Sequence, residues 1–455
     1  MVVSRFGQAV RRTAASSTAG DECAGGRGAA GPQGLWGEED AGPRSRATPV
    51  ARATPGPGPQ VADRFELFTN LGPRPVFLLA PGPTPAALLA FIILMTARGG
   101  APWTRRRGRV TMARMLDGRY SRQELFSGVG VEGQARLGAA RVLVAGCGGL
   151  GTVSASLLGR AGVGFLRIVD RDVVELSNLQ RQALFSEADV RLARPKAVAA
   201  AERLAEVNHE IEVEPVVADI TPANVRALVA DVDLVVDGFD NFEGRYLLND
   251  ACVERGVPWV YGSCVEAAGM AMLIVPGQTP CLRCMLPERP EPGAAPTCDA
   301  VGVLGSATHT TAALQVAAAL RWLVTRVAPR PAVMVRVNVW DGRFERLEVV
   351  YEPASVRCRC CVERRFEFLD AALPPAVALC GRDAVMLRSE GGARPDLRAV
   401  AGRLRLHGEV VLGEHLVRLR TGALELTLFA DGRIVVKGTD DVAEARAAAA
   451  RLLGV

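Results

Sequence analysis

The sequence predicts an α/β protein: a Rossmann-like domain tied by a four-cysteine knot, a small α+β domain after it, and a disordered extension before it. Three observations predict this. A β-branched run, a glycine-rich turn, a helix-like stretch and a strand ending in an acid follow one another at residues 141–170. Two Cys-x-x-Cys pairs stand far apart, at Cys281/Cys284 and Cys358/Cys361. Residues 1–111 hold 12 of the 28 Pro, with Gly, Ala, Ser and Arg between them.

Composition sets the outer limits. With 455 residues, 49% hydrophobic and 23% charged, the chain can bury two or three cores. That excludes a disordered polymer and a disulfide mini-protein. The net charge of +5 is unevenly spread: residues 1–114 carry 15 Arg against 7 acidic residues, and the remainder sums to −3. The folded part has no basic excess, so nucleic acid is not its expected ligand. Eleven Cys without a secretory signal point to metal or thiol chemistry in a reducing compartment, hence a cytoplasmic protein.

No helix or strand period survives in residues 1–111. The apolar stretch at 86–97 falls short of the roughly 20 residues that span a bilayer. Pro81, Pro83 and Pro85 isolate it, so no membrane partner is expected. Met112 and Met115 stand just before the globular pattern, and either could be the natural start. The expected division is 1–111, 112–365 and 366–455.

Residues 141–145 (RVLVA) read as the first strand, and Gly146, Gly148, Gly149 and Gly151 as its turn. Residues 152–161 read as the helix, and residues 165–169 as the second strand, ending at Asp170. Glycines let the backbone approach phosphate, the helix N-terminus favours anions, and Asp170 can take ribose hydroxyls. At this point an NAD-dependent oxidoreductase and an ATP enzyme explain the pattern equally.

The next residues separate them. After Asp170 come Asp172, Val174, Ser177-Asn178-Leu179 and Arg181-Gln182, then Arg194-Pro195-Lys196-Ala197. Farther on stand Asp237, Asp240-Asn241-Phe242 and Arg245. From about Tyr120 to Cys361 the chain resembles the ThiF/MoeB/HesA family, relatives of ubiquitin-activating enzymes. Asn178, Arg181 and Lys196 put an amide and two cations where a triphosphate would lie. Lys196 is one of only two Lys in the chain, which singles out its compact charge. Adenylation of a carboxylate needs charge neutralised on the α-phosphate as pyrophosphate leaves. The resemblance implies ATP with Mg²⁺, and it puts the metal-binding carboxylate at Asp240 rather than Asp237, which reads as a turn acid. It further implies that Arg122, in Tyr120-Ser121-Arg122-Gln123, reaches the partner's nucleotide in a homodimer.

The two Cys-x-x-Cys pairs give the four thiolates of a structural Zn²⁺ site. Spacing favours Cys358 and Cys361 over Cys360, though a swap stays open. Between the pairs, a Pro-rich loop at 287–296 delivers Thr297-Cys298-Asp299. The resemblance places a carrier thiol at Cys298, forming an acyl-disulfide or thioester with the activated partner. Other members finish at adenylation, and that alternative is equally open. Cys147 and Cys264 read as small core residues, and His309 as a cap for a helix over 312–324.

In the C-terminal segment, strands are expected at 384–388, 409–415, 416–420, 424–429 and 433–437, with helices at 396–406 and 442–453. Cys380, before Gly381-Arg382, is either a sulfur-carrying thiol or a residue before a turn. The domain could also dock a partner protein.

The resemblance therefore implies an ATP-dependent adenylyltransferase acting on the C-terminal Gly-Gly carboxylate of a small ubiquitin-fold sulfur-carrier protein. That carrier would serve molybdopterin or thiamine biosynthesis. The missing rhodanese segment implies a separate sulfur donor. A ubiquitin-like protein modifier is the alternative substrate.

Overall fold

The computed structural model describes residues 118–291, 298–352, 357–379, 383–388 and 394–454, all within one compact unit. Two sheets organise it. The first has eight strands in the order β3-β2-β1-β4-β5-β6-β7-β8. These are β1 (Arg141–Ala145), β2 (Phe165–Asp170), β3 (Glu212–Val217), β4 (Leu234–Asp237), β5 (Trp259–Val265), β6 (Ala268–Ile274), β7 (Ala332–Asn338) and β8 (Arg343–Val349). From β3 to β5 the pairs are parallel, and from β5 to β8 antiparallel.

The inner parallel strands β1, β2 and β4 are mostly apolar and buried because both faces are covered, whereas the edge strand β3 carries Glu212 and Glu214 and is only half-buried. Val142, Val144, Leu166, Ile168, Leu234 and Val236 join one buried cluster with residues of the helices Gly149–Arg160, Lys196–Val207 and Gly305–Thr325. Leu143, Ala145, Val235, Trp259 and Tyr261 join another with Tyr246, Leu248 and Cys252 of the helix Phe242–Arg255. Local chemistry fixes the ends of that last helix. Asn241 Oδ1 accepts from Gly244 N at 2.8 Å, and Gly256 takes φ of 72° just past the end.

Successive βα connections leave β1 toward β2 on one side and β4 on the other. The carboxyl ends of β1 and β4 therefore enclose a topological switch point, where α/β sheets bind ligands. Gly146 and Gly238 line it. Gly146 has φ of 95°, and its added Cβ would meet Gly238 O at 2.8 Å.

The second sheet has six antiparallel strands in the order β11-β12-β13-β14-β10-β9. They are β9 (Ala376–Leu379), β10 (Ala384–Leu387), β11 (Glu409–Leu412), β12 (Leu416–Thr421), β13 (Leu424–Phe429) and β14 (Ile434–Lys437). One face packs beneath the helices Leu397–Leu404 and Val442–Leu453 through Val385, Val417, Leu419, Leu426 and Val436. Asp396 and Asp441 cap these helices by accepting backbone N–H bonds from their first turns.

Most expected elements lie within a few residues of their expected bounds. β9 has no counterpart among the expected strands, and β11 ends at Leu412 rather than running to 415. The long helix begins at Gly305, so His309 sits inside it instead of capping it. Its Nδ1 lies 2.8 Å from Gly305 O, one turn back.

Candidate functional site

The glycine loop shows why each glycine is there. A Cβ on Gly151 would lie 1.9 Å from Gly146 O, so the helix could not close on the strand. A Cβ on Gly149 would meet Thr308 Cγ2 at 3.1 Å. Gly148 differs: its Cβ would come no nearer than 3.9 Å to any protein atom. Space stands beside Gly148, at the N-terminus of the helix Gly149–Arg160, where unpaired backbone N–H groups favour an anion.

Asp170, at the end of β2, ties this loop to the next one. Its Oδ2 accepts from Cys147 N at 2.6 Å and its Oδ1 from Asp172 N at 2.7 Å. Burial pushes its carboxyl above the ordinary range, opposed first by the Lys196 charge. Lys196 is 5% exposed, so it is not a solvated surface cation. It opens the helix Lys196–Val207, donates its backbone N–H to Asp172 O at 2.9 Å, and places Nζ 3.5 Å from Asp172 Oδ2. Next comes a 3₁₀ turn at Leu176–Asn178. Buried Asn178 accepts from Glu175 N through Oδ1 at 3.1 Å, which leaves its amide NH₂ as the donor it can offer. Half-buried Arg181 bonds Ser177 O at 2.8 Å.

The end of β4 holds two acids with different surroundings. Asp237 is fully buried and paired to Arg245, with Nε to Oδ2 at 3.0 Å. It also accepts from Phe239 N at 2.9 Å and Gly262 N at 3.2 Å. Burial raises its pKa against these partners. Arg245 also donates to Gly262 O at 2.9 Å. This pair knits β4, β5 and the helix Phe242–Arg255. Its signal in the sequence is the eight-residue spacing across the Asn241 cap. Asp240 is exposed at the same sheet edge, with Oδ1 accepting from Asn241 Nδ2 at 3.0 Å.

The four expected metal-ligating thiols meet. Sγ atoms of Cys281 and Cys284 are 3.8 Å apart, Cys281 and Cys358 3.6 Å, and Cys284 and Cys361 3.3 Å. A tetrahedral ion with Zn–S bonds of about 2.3 Å sets its sulfurs about 3.8 Å apart, so the donor set fits zinc. Cys360 is fully buried and accepts instead from Asn249 Nδ2, at 3.2 Å. Cys147 and Cys264 are buried core residues, as expected.

Cys298 begins the short helix Cys298–Val301, and its Sγ donates to Cys264 O at 3.1 Å. Cys264 lies near the end of β5, so the thiol belongs to the same carboxyl edge as Ala145, Asp170 and Asp237. Arg122 does not join this cluster. It is exposed on the helix Ser121–Glu124, whose Gln123 donates to Ala161 O at 2.9 Å, at the far end of the helix that leaves the glycine loop. Twelve residues of helix, roughly 18 Å, separate the two ends. Cys380 lies outside the described residues.

Among the described residues, no helix is long and apolar enough to cross a membrane. The sequence matches the ThiF family over residues 120–360. It is 43% identical over 336 residues to the sulfur carrier protein ThiS adenylyltransferase of Bacillus subtilis (strain 168), covering 73% of this chain and 98% of that one. It is 42% identical over 246 residues to the SAMP-activating enzyme E1 of Haloferax volcanii, covering 54% of this chain and 90% of that one. The adenylyltransferase and sulfurtransferase MOCS3 of Anopheles gambiae is 39% identical over 248 residues, covering 54% of this chain and 55% of that protein.

Proposed function

We propose that this chain, which belongs to the ThiF family, adenylates the C-terminal carboxylate of a small ubiquitin-fold sulfur-carrier protein. The observation that carries the reading is the open space at Gly148, with Arg181 Cδ 3.6 Å from a Cβ on Gly149 and with Asp170, which feels the charge of buried Lys196, bonded to Cys147 N. Relatives that are named carrier-protein adenylyltransferases give the substrate class.

In this reading the triphosphate lies against Gly146, Gly148, Gly149 and Gly151, and Asp170 takes the ribose hydroxyls. Asn178 Nδ2, Arg181 and Lys196 hold the phosphate oxygens. A carboxylate oxygen of the carrier attacks the α-phosphorus, the bond to the bridging oxygen breaks, and pyrophosphate leaves with that electron pair. Fixed cations stabilise the charge that builds in between, at no cost of reorganisation. Asp240 would hold Mg²⁺, which supplies further neutralisation of phosphate charge. Cys281, Cys284, Cys358 and Cys361 would hold Zn²⁺ and pin residues 358–361 to the loop after β6, a structural role only.

Arg122, exposed and remote from its own glycine loop, would serve the nucleotide of a second copy, giving two composite sites in a homodimer. The acyl-adenylate then passes to sulfur. Either the Cys298 thiol loses its proton and displaces AMP to form a thioester, or the terminal sulfur of a persulfide from a separate donor displaces AMP to form an acyl disulfide. The setting is cytoplasmic, and the carrier serves thiamine or molybdopterin biosynthesis.

ATP–pyrophosphate exchange tests this, using the full chain and each small Gly-Gly-ending carrier of the same organism. Exchange that depends on one carrier supports the reading and names the branch. Absence of exchange with every carrier, while Mg-ATP binds, refutes the substrate class.

A further inference from the structure

The second sheet has a face that the helices do not cover. On β12, β13 and β14 that face carries Leu416, Arg418, Thr427, Phe429 and Val435, opposite in register to the helix-packed set. In an isolated domain it would meet water. Here Leu416 and Phe429 are 2% exposed. What covers them comes from the segment after β2 and the end of β3: buried Val173 and Ala193 cluster with Leu416 and Phe429, and half-buried Val217, Val411 and Val435 pack against them.

Polar contacts ring this apolar patch, and they gather on the loop that leads to Asn178. Lys437 Nζ donates to Glu175 Oε1 at 2.5 Å. Arg433 Nη1 donates to Arg171 O at 3.1 Å. Arg388 Nη2 meets Asp219 Oδ2 at 3.0 Å, and Asp219 Oδ1 in turn accepts from Arg171 Nη1 at 3.2 Å. From the other side the same loop is held by Lys196 N to Asp172 O and Val174 N to Arg194 O, both at 2.9 Å. Lys437 therefore holds the Glu175 side chain where the 3₁₀ turn starts, residues 172 and 174 just before it are held from residues 194–196, and the Glu175 N–H donates to Asn178 Oδ1.

We propose that the C-terminal domain is a working part of the nucleotide site, with Lys437 a positioning residue that holds the Leu176–Asn178 turn, and so Asn178 and Arg181, through Glu175. The proposal rests on the adenylation reading for its kinetic consequence only. Lys437 is the second of the chain's two Lys, and it stands between Glu175 and Glu425, whose Oε1 is 3.9 Å from Nζ. A single compact ammonium serves both carboxylates.

The test uses the full chain with Lys437→Met, Lys437→Arg and Glu175→Gln, the last also paired with Lys437→Met. Two readouts are taken: KM against kcat for ATP in carrier-dependent pyrophosphate exchange, and amide hydrogen exchange of residues 176–182 without nucleotide. Reporter amides are those of Asn178, Leu179, Arg181 and Gln182, each bonded within the turn. Lys437→Met should raise KM for ATP about fivefold with kcat within about twofold, since a half-exposed charge-assisted bond is lost. It should speed exchange of the turn amides while those of β12 and β13 stay protected. Lys437→Arg should restore most of both, and Glu175→Gln should add little to Lys437→Met. Unchanged KM and unchanged turn exchange in Lys437→Met overturn the proposal. So does a general loss of protection across the second sheet, with Lys437→Arg no better. If the unaltered protein shows no pyrophosphate exchange, the adenylation reading falls, and the hydrogen-exchange arm still decides whether Lys437 fixes the turn.

Discussion

Substituting Gly148 and Gly151 by Ala separates binding from folding within one four-residue stretch. At Gly151 the new Cβ would sit 1.9 Å from Gly146 O, a backbone atom held by β1 and unable to swing aside. Forced overpacking of this kind costs more than about 3 kcal/mol, so Gly151→Ala should melt many degrees lower or fail to fold. At Gly148 the nearest protein atom is 3.9 Å from the new Cβ. The main penalty there is Ala replacing Gly at a helix N-cap, about 1 kcal/mol or less. The methyl group instead fills space that the phosphates need. Inserting one methyl into a close contact costs about 1–3 kcal/mol, or roughly 5- to 150-fold in affinity for Mg-ATP. Calorimetric titration of Mg-ATP, run beside thermal melts, reads both effects. Gly148→Ala binding ATP as tightly as the unaltered protein, with equal stability, would refute the assignment of the loop as a phosphate cradle. Loss of binding together with collapse of the melt would refute the claim that Gly148 is free of packing duties.

Three further outcomes follow. Asp240→Ala should abolish pyrophosphate exchange without lowering the melting temperature, because the exposed carboxylate contributes little to packing; full exchange in the variant would displace the metal from this residue. Freshly purified protein should contain about one zinc per chain, and Cys361→Ser or a strong chelator should lower both zinc content and melting temperature; metal analysis giving under about half a zinc would reject the knot. Asp231 is held below its usual 3.8 by a hydrogen bond from Arg167, so its stabilising contribution is present above that pH and lost as the pH falls below it. With half its side chain exposed, that contribution is about 0.5 kcal/mol, and denaturant titrations of Asp231→Asn should differ from the unaltered protein at pH 7 and converge as the pH falls through the acid range.

The sequence made the site legible where its determinants are local. Strand, glycine turn, helix and Asp170 all fall within residues 141–170, and each implies the next. The same is true of β12 to β14, whose hairpin at Ala430-Asp431-Gly432 sets their register. The four-thiol cluster was legible because a tetrahedral thiolate site restricts spacing, and the Sγ distances then decided between Cys360 and Cys361. β9 was hidden because its four residues acquire a strand conformation only by pairing with β10. The Asp237–Arg245 pair was hidden because Asp237 reads as a turn acid from local sequence, and the two meet at 3.0 Å, fully buried, only once β4 and the helix Phe242–Arg255 pack.

The docking of the second sheet was hidden for a more general reason. In the sequence, Arg418 on β12, Arg433 just before β14 and Lys437 at its end look like the solvated side of an amphipathic sheet, with the apolar set opposite. Yet Arg418 is 7% and Arg433 6% exposed. Long cationic side chains can lay their carbon stems over apolar neighbours while their charged ends reach a partner, so a charged residue does not by itself mark a wet surface. Arg433 shows this directly: its guanidinium stacks 4.3 Å from the Phe429 ring centre, while Nε meets Asp431 and Nη1 meets Arg171 O. Burial of this kind is costly unless the charges are paired, and burial does hold Arg418 below its ordinary pKa. Arg433 and Lys437 are paired, and both grip the loop that leads into the Leu176–Asn178 turn, which is why the role proposed for this interface is one of geometry.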